Sequence, residues 1–253
     1  FVVHPAFTVN SSLGGTGEEI EGFWVGKFES SNLTSPIGNS GFSASSADSV
    51  LWGQGDGTNI TIRPNVTSWR YNYVTNFYKV IYDMQTSSNI YGLSEDRTIA
   101  DSHMMKNLEW GAVAYLTNSE YGRCTNSTCT EVGLNGYTTG SGTSLIRQTG
   151  CGPIASGSTS SGATCNAYNT TIGQEASTTG NVYGIYDMSG GAYEYVMGNM
   201  SSASGSYTYY ASSGESNFTY NASTTAKYLD TYANGTSYID QTAYNRARLG
   251  DAT

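Results

Sequence analysis

Asp187 and Glu194 are the residues of this 253-residue chain whose types and spacing come nearest to chemistry. They are the only formal charges in the run GNVYGIYDMSGGAYEYV, Gly180 to Val196, and they flank the Gly190-Gly191 pair. Two carboxylates facing one another across a turn are the minimum for acid–base cleavage of a glycosidic bond. Carboxylate oxygens are also the donors that a hard cation such as calcium takes. Ser/His/Asp catalysis needs a histidine beside its nucleophile, and the chain has only His4 and His103. His4 stands in a Val-His-Pro context, and His103 sits beside Met104 and Met105 in what reads as the first turn of a helix. Both read as structural or capping residues. The glycine runs GGTGEE at 14–19 and GDGT at 55–58 lack the lysine and the strand–helix setting of a phosphate loop. The expectation is a protein with no catalytic residues, no metal and no cofactor, and therefore not an enzyme.

The cysteines carry a different chemistry. Cys124 and Cys129 enclose the four residues TNST, and Cys151 and Cys165 enclose a Gly/Ser/Thr-rich stretch. Four cysteines allow more than one connectivity. The pairing Cys124–Cys129 and Cys151–Cys165 is favoured because each bond closes a short local loop. The spacing matches no common zinc pattern, and four free thiols are the remaining alternative. Disulfides imply an oxidising compartment. N-x-[ST] occurs at Asn10, Asn32, Asn59, Asn65, Asn126, Asn169, Asn199, Asn217, Asn221 and Asn234. These are candidate glycan acceptors on loops, with ordinary polar loop residues as the alternative in a chain this rich in Asn, Ser and Thr.

Charged residues make up only 12% and the formal net charge is −9. An acidic chain repels phosphate backbones and anionic lipid surfaces, so neither nucleic acid nor direct membrane insertion is expected. No stretch approaches the roughly 20 apolar residues that span a bilayer. Phe1 is followed by VVHPAF without a basic leader, which reads as a processed or trimmed product of a secreted, extracellular or cell-surface protein. Twenty-one tyrosines, seven phenylalanines and four tryptophans supply enough buried area to argue against disorder.

Positioning elements follow from patterning. FWVGKF at 23–28 reads as a strand, 29–49 as a surface loop, and NITIRP at 59–64 as a strand stopped by Pro64. A first helix opens after Thr67 or Ser68, with Tyr73, Val74, Phe77, Tyr78, Ile81 and Met84 on its apolar face. A second opens near Asp101 or Ser102, with Met104, Met105, Leu108, Ala112, Tyr115 and Leu116 inward and Gly122 past its end. Segments 133–145 and 156–164 are low-complexity. Gly180–Val196 reads as strand, turn, strand, and SYTYYA at 206–211 as a strand. The fold class is α+β over 1–253 as a single domain, with two helices packed on short, mostly antiparallel strands joined by long loops.

Gly184 to Tyr195, GIYDMSGGAYEY, resembles the G-[LI]-[YW]-D-M-x-G-N-[VA]-[WY]-E-[WY] motif of the sulfatase-modifying-factor family, which includes the formylglycine-generating enzyme. Gly191 stands where that family usually has Asn. EGFWVGKFE (21–29), NVTSWR (65–70) and NLEWGAVAY (107–115) are similar to further family segments in the same order. The resemblance implies a C-type-lectin-like fold. It also implies that Asp187 and Glu194 accept backbone hydrogen bonds or help to hold calcium, although Gly191 lacks the amide oxygen of Asn. The usual closing R-G-G-S and G-F-R segments, which hold the enzyme's catalytic cysteines, are not found before Thr253. The layout therefore resembles a non-catalytic bacterial surface branch without the closing segment, whose place a neighbour's strand would take. Implied is an adhesive or structural module, such as a filament subunit, whose partners are copies of itself, other surface proteins or glycans. Tyr207, Tyr209, Tyr210 and Tyr220 are its candidate contact surface. A monomeric glycan- or protein-binding module and a formylglycine-generating-type oxidoreductase are the alternatives.

Overall fold

The computed structural model describes residues 22–32, 60–69, 74–86, 88–136, 138–139, 146–153, 165–192, 194–201, 228 and 230–233. The chain divides into two compact units, one from Val25–Ser102 with Tyr115–Glu194 and the other from Phe1–Trp24, His103–Ala114 and Tyr195–Thr253.

In the first unit, β1 (Ser31–Asn32) pairs antiparallel with β2 (Ile60–Thr61), with Ser31 opposite Thr61. Helix α1 (Val74–Tyr82) continues into a 3-10 turn at Asp83–Gln85. Its core contacts are Val80 and Met84, packed with Ile60 and Trp69 and covered by Phe77, Ile81, Tyr91 and Leu93. Phe77, Ile81 and Met84 of the expected stripe all belong to this face, and Val80 joins them. Thr67 and Ser68 do not cap this helix. Thr67 bridges Gln148 in the antiparallel sense, and both residues are buried. Removing four large apolar side chains from water contributes about 1.5–3 kcal/mol each, which makes this cluster a principal support of the unit.

A second cluster joins Phe28, Ala176 and Tyr186, with Tyr168 against it. Phe28 and Tyr168 meet edge to face at 5.1 Å between ring centroids. The Tyr186 hydroxyl donates to the carbonyls of Tyr168 and Asn181 at 2.9 and 3.1 Å, so the buried ring keeps its polar end satisfied. The expected strand at 23–28 is absent. Trp24 is fully exposed and only Phe28 is buried. The expected loop after residue 28 holds β1 instead. The tip at Asn126-Ser127 takes positive φ at both residues, the turn that suits a two-residue hairpin, and sets β3 (Cys124–Thr125) against β4 (Thr128–Cys129). β5 (Thr138–Thr139) pairs with β6 (Ile146–Arg147). The favoured cysteine pairing is the one formed: Cys124–Cys129 and Cys151–Cys165.

Helix α2 (Asn107–Leu116), which lies in the other unit up to Ala114, begins about five residues later than the patterning predicts. Glu109, in its first turn, accepts the Lys106 N–H at 2.8 Å and so caps the helix by one half of a capping box. Leu108 and Val113 are buried along it. His103 therefore precedes the helix rather than lying in its first turn. Its Nε2 meets Glu109 Oε1 at 3.1 Å, and its ring lies 5.7 Å from that of Tyr228. β7 (Gly198–Ser201) and β8 (Asp230–Ala233) pair in parallel. Among the described residues no helix is long and apolar enough to cross a membrane.

Candidate functional site

The structured part of GNVYGIYDMSGGAYEYV is not a hairpin. Asp187 sits at φ +68°, in the left-handed region, where a strand cannot continue. The alternation stops there. Tyr186 turns inward and is buried, whereas Tyr183 and Tyr195 face outward. What replaces the strand pair is a turn-rich loop tied down by long-range hydrogen bonds. Tyr186 N–H donates to the Lys27 carbonyl at 2.9 Å. Asn135 N–H donates to the Ser189 carbonyl at 2.7 Å, and Gly191 N–H returns to the Asn135 carbonyl at 2.8 Å.

Asp187 is at the centre and is 2% exposed. Its Oδ1 accepts Asn135 Nδ2 at 2.9 Å and the Gly150 N–H at 2.9 Å. Its Oδ2 accepts the same Gly150 N–H at 3.0 Å and the Glu29 N–H at 3.3 Å. Asn135 Nδ2 uses its other hydrogen on the Gln148 carbonyl at 2.8 Å. One carboxyl thus pins three distant segments, and this is the interaction that gives the loop its shape. Gly150, at φ +65°, is required by space as well as by conformation: a Cβ there would lie 2.7 Å from the Phe28 ring.

The acid that faces Asp187 is Glu29, not Glu194. Glu29 Oε1 accepts the Ala192 N–H at 2.9 Å. Glu29 Oε2 is sealed from solvent without a hydrogen-bond partner, as is the Ser68 hydroxyl. Glu194 is exposed but still acts on Glu29 through its charge. Burial, then repulsion from Asp187 and Glu194, holds the Glu29 carboxyl well above its ordinary range. Burial raises Asp187 to about 6, against hydrogen bonds from Gly150, Asn135 and Glu29 that lower it. The two titrate as a pair. Both carboxyls are held above their ordinary values by burial, and Glu29 also by repulsion from Asp187 and Glu194. The arrangement is a pair of carboxyls, one accepting the Asn135 amide and the Gly150 and Glu29 N–H groups and the other the Ala192 N–H.

Gly191, at φ +74°, lies directly over this pair: a Cβ would come within 2.5 Å of Glu29 Oε1. Its glycine is thus matched to the presence of Glu29. Gly191→Ala is expected to cost about 1–3 kcal/mol through left-handed strain and the displaced carboxyl, measured by denaturant unfolding. The same change in a Glu29→Ala background should cost clearly less. Equal costs in both backgrounds would separate Gly191 from the acid pair.

Several expected residues lie elsewhere. His4, Tyr207, Tyr209, Tyr210, Tyr220, Asn10, Asn59, Asn217, Asn221 and Asn234 are outside the described residues. Asn126 and Asn169 are exposed, while the sequon of Asn65 includes Thr67, which is fully buried. Asn32 and Asn199 lie in β1 and β7. The low-complexity reading of 133–145 missed Asn135, which is fully buried. Glu29 and Gly150 were also missed. The only local signal for them is a polar residue ending an aromatic run, FWVGKFE, and a glycine beside Cys151. Among the described residues no cluster of three or more His, Cys, Asp or Glu is placed to hold a metal ion.

The residues around Asp187 form a carboxyl-pinned loop. No family model, no curated protein and no solved structure matches this chain.

Proposed function

We propose that this chain is a non-catalytic extracellular surface module, adhesive or structural, built on a C-type-lectin-like fold of the sulfatase-modifying-factor type and working in assemblies with copies of itself or with other surface proteins and glycans. The observation that carries this reading is the use of the acid pair. Asp187 and the Oε1 of Glu29 are turned to main-chain N–H groups, an arrangement that holds a loop in place. The two disulfides agree with an oxidising, extracellular setting, and a net charge of −9 carried on a hydroxyl-rich chain suits a solvated surface.

The test is electron microscopy of protein isolated from its native source in neutral buffer. Regular filaments or sheets are the expected result, and Tyr209→Ser with Tyr210→Ser should shorten or abolish them. Single compact particles, unaffected by the tyrosine changes, would discard the structural-subunit reading in favour of a monomeric binding module, to be followed by glycan-array screening.

A further inference from the structure

The two disulfides are not equivalent. Cys151 is fully buried, and Cys165 is only partly exposed. Around Cys151 the chain is tightly closed: it bridges Ala167, and a Cβ on the neighbouring Gly152 would lie 2.2 Å from Gly173 Cα. Cys129, by contrast, is exposed on β4, with every residue from Thr125 to Thr130 exposed around it. Its partner Cys124 is half-buried, and the Cys124 Sγ lies 3.7 Å from the Thr117 carbonyl.

We infer that the Cys124–Cys129 bond is a thiol–disulfide exchange site for small external thiols, attacked at Cys129. An incoming thiolate reaches the exposed Cys129 Sγ along the bond to Cys124. A new sulfur–sulfur bond forms between the external thiol and Cys129, the Cys124–Cys129 bond breaks, and its electron pair leaves on Cys124 Sγ. That sulfur takes a proton from solvent, and the thiol formed can donate a hydrogen bond to the Thr117 carbonyl, 3.7 Å away. If the external molecule is a dithiol, its second thiolate displaces Cys129. It then departs as its own disulfide, having supplied two electrons, and leaves both cysteines as thiols.

Three features favour exchange here over Cys151–Cys165. Access of the attacking thiolate is one control on the rate, and Cys129 is the exposed member of the four cysteines, the others being half-buried or buried. The loop is short, with a separation of 5 against 14, so the bond adds less to chain closure. The hairpin also stands without it. Cys124 and Cys129 are register partners in the β3–β4 ladder, and Arg123 holds the base of the hairpin. Its Nε donates to the Thr130 carbonyl and hydroxyl at 3.2 Å, and its Nη2 pairs with Glu175. The opened sulfurs remain opposed, which makes the exchange reversible.

The experiment treats the native, oxidised protein with glutathione in the presence of iodoacetamide, quenches in acid at intervals, and maps peptides by mass. The expected early product carries glutathione on Cys129 and the alkyl group on Cys124. It should appear at least about tenfold faster than any modification of Cys151 or Cys165. A Cys124→Ser, Cys129→Ser variant should lose the fast phase and keep the slow one. Equal rates at the two bonds, glutathione on Cys124 in the early product, or no reaction before denaturation would each overturn the assignment.

Discussion

Replacing Asp187 with alanine should lower the stability of its unit by about 3–5 kcal/mol, through the loss of a buried carboxyl that satisfies several buried donors. Three donors lose their acceptor at once: Asn135 Nδ2, the Gly150 N–H and the Glu29 N–H. Each stranded buried donor costs about 1–3 kcal/mol, and alanine at φ +68° adds about 1 kcal/mol of left-handed strain. Relief of repulsion with Glu29 opposes this. That relief is smallest on the acid side, where the pair keeps its protons, so the comparison belongs near pH 5. Trp69, buried in the same unit, provides the fluorescence reporter for denaturant unfolding. Asp187→Asn keeps the shape, retains an acceptor and tolerates the left-handed conformation. Its cost should be well under half that of the alanine variant. Equal costs for the two would mean that the hydrogen bonds of Asp187 do not pin the loop.

The second large effect is a loss of stability as pH rises. Asp187 moves from an ordinary 3.8 to about 6 on folding, and Glu29 moves above its ordinary 4.5. Both are raised, so the folded chain binds more protons than the unfolded one. Their stabilisation is complete below the unfolded values and is lost as pH climbs through the folded ones. For Asp187 the shift corresponds to about 3 kcal/mol between pH 4 and 7. Glu109, in the other unit, works in the opposite sense. Burial raises it, but hydrogen bonds from His103 and the Lys106 N–H, with their charges, outweigh burial and leave it lowered. Its contribution is present above 4.5 and is lost as pH falls through its lowered folded value. The informative quantity is therefore the wild-type pH profile minus that of Asp187→Asn. The difference should decline from about pH 4 to pH 7 by kcal/mol rather than tenths. A flat difference would mean that Asp187 titrates normally in the folded chain.

The same residues show where sequence reasoning succeeds. The disulfide pairing was legible because each bond closes a short segment, and nearness along the chain is nearness in space. The existence of α1 and α2 was legible because periodicity is a local property. Their starts were not. Thr67 and Ser68 have the right type for a cap, but the bridge between Thr67 and Gln148 takes that stretch of backbone for tertiary pairing. At α2 the cap comes instead from Glu109 reaching back to Lys106.

For the acid pair the chain by itself determined only one member. Asp187 is conspicuous among glycines and tyrosines, and the strand alternation around it is persuasive until its positive φ is known. Its partners are separated from it by 158, 52 and 37 positions for Glu29, Asn135 and Gly150. No local pattern encodes such meetings. Asn135 lies in a stretch whose composition reads as surface loop, and Glu29 in one that reads as the end of a strand. Cysteine spacing and helical period determined the local staples and the two helices. Only the tertiary structure decided which carboxyls are buried together, because burial and charge coupling depend on distances through space that the order of residues does not express.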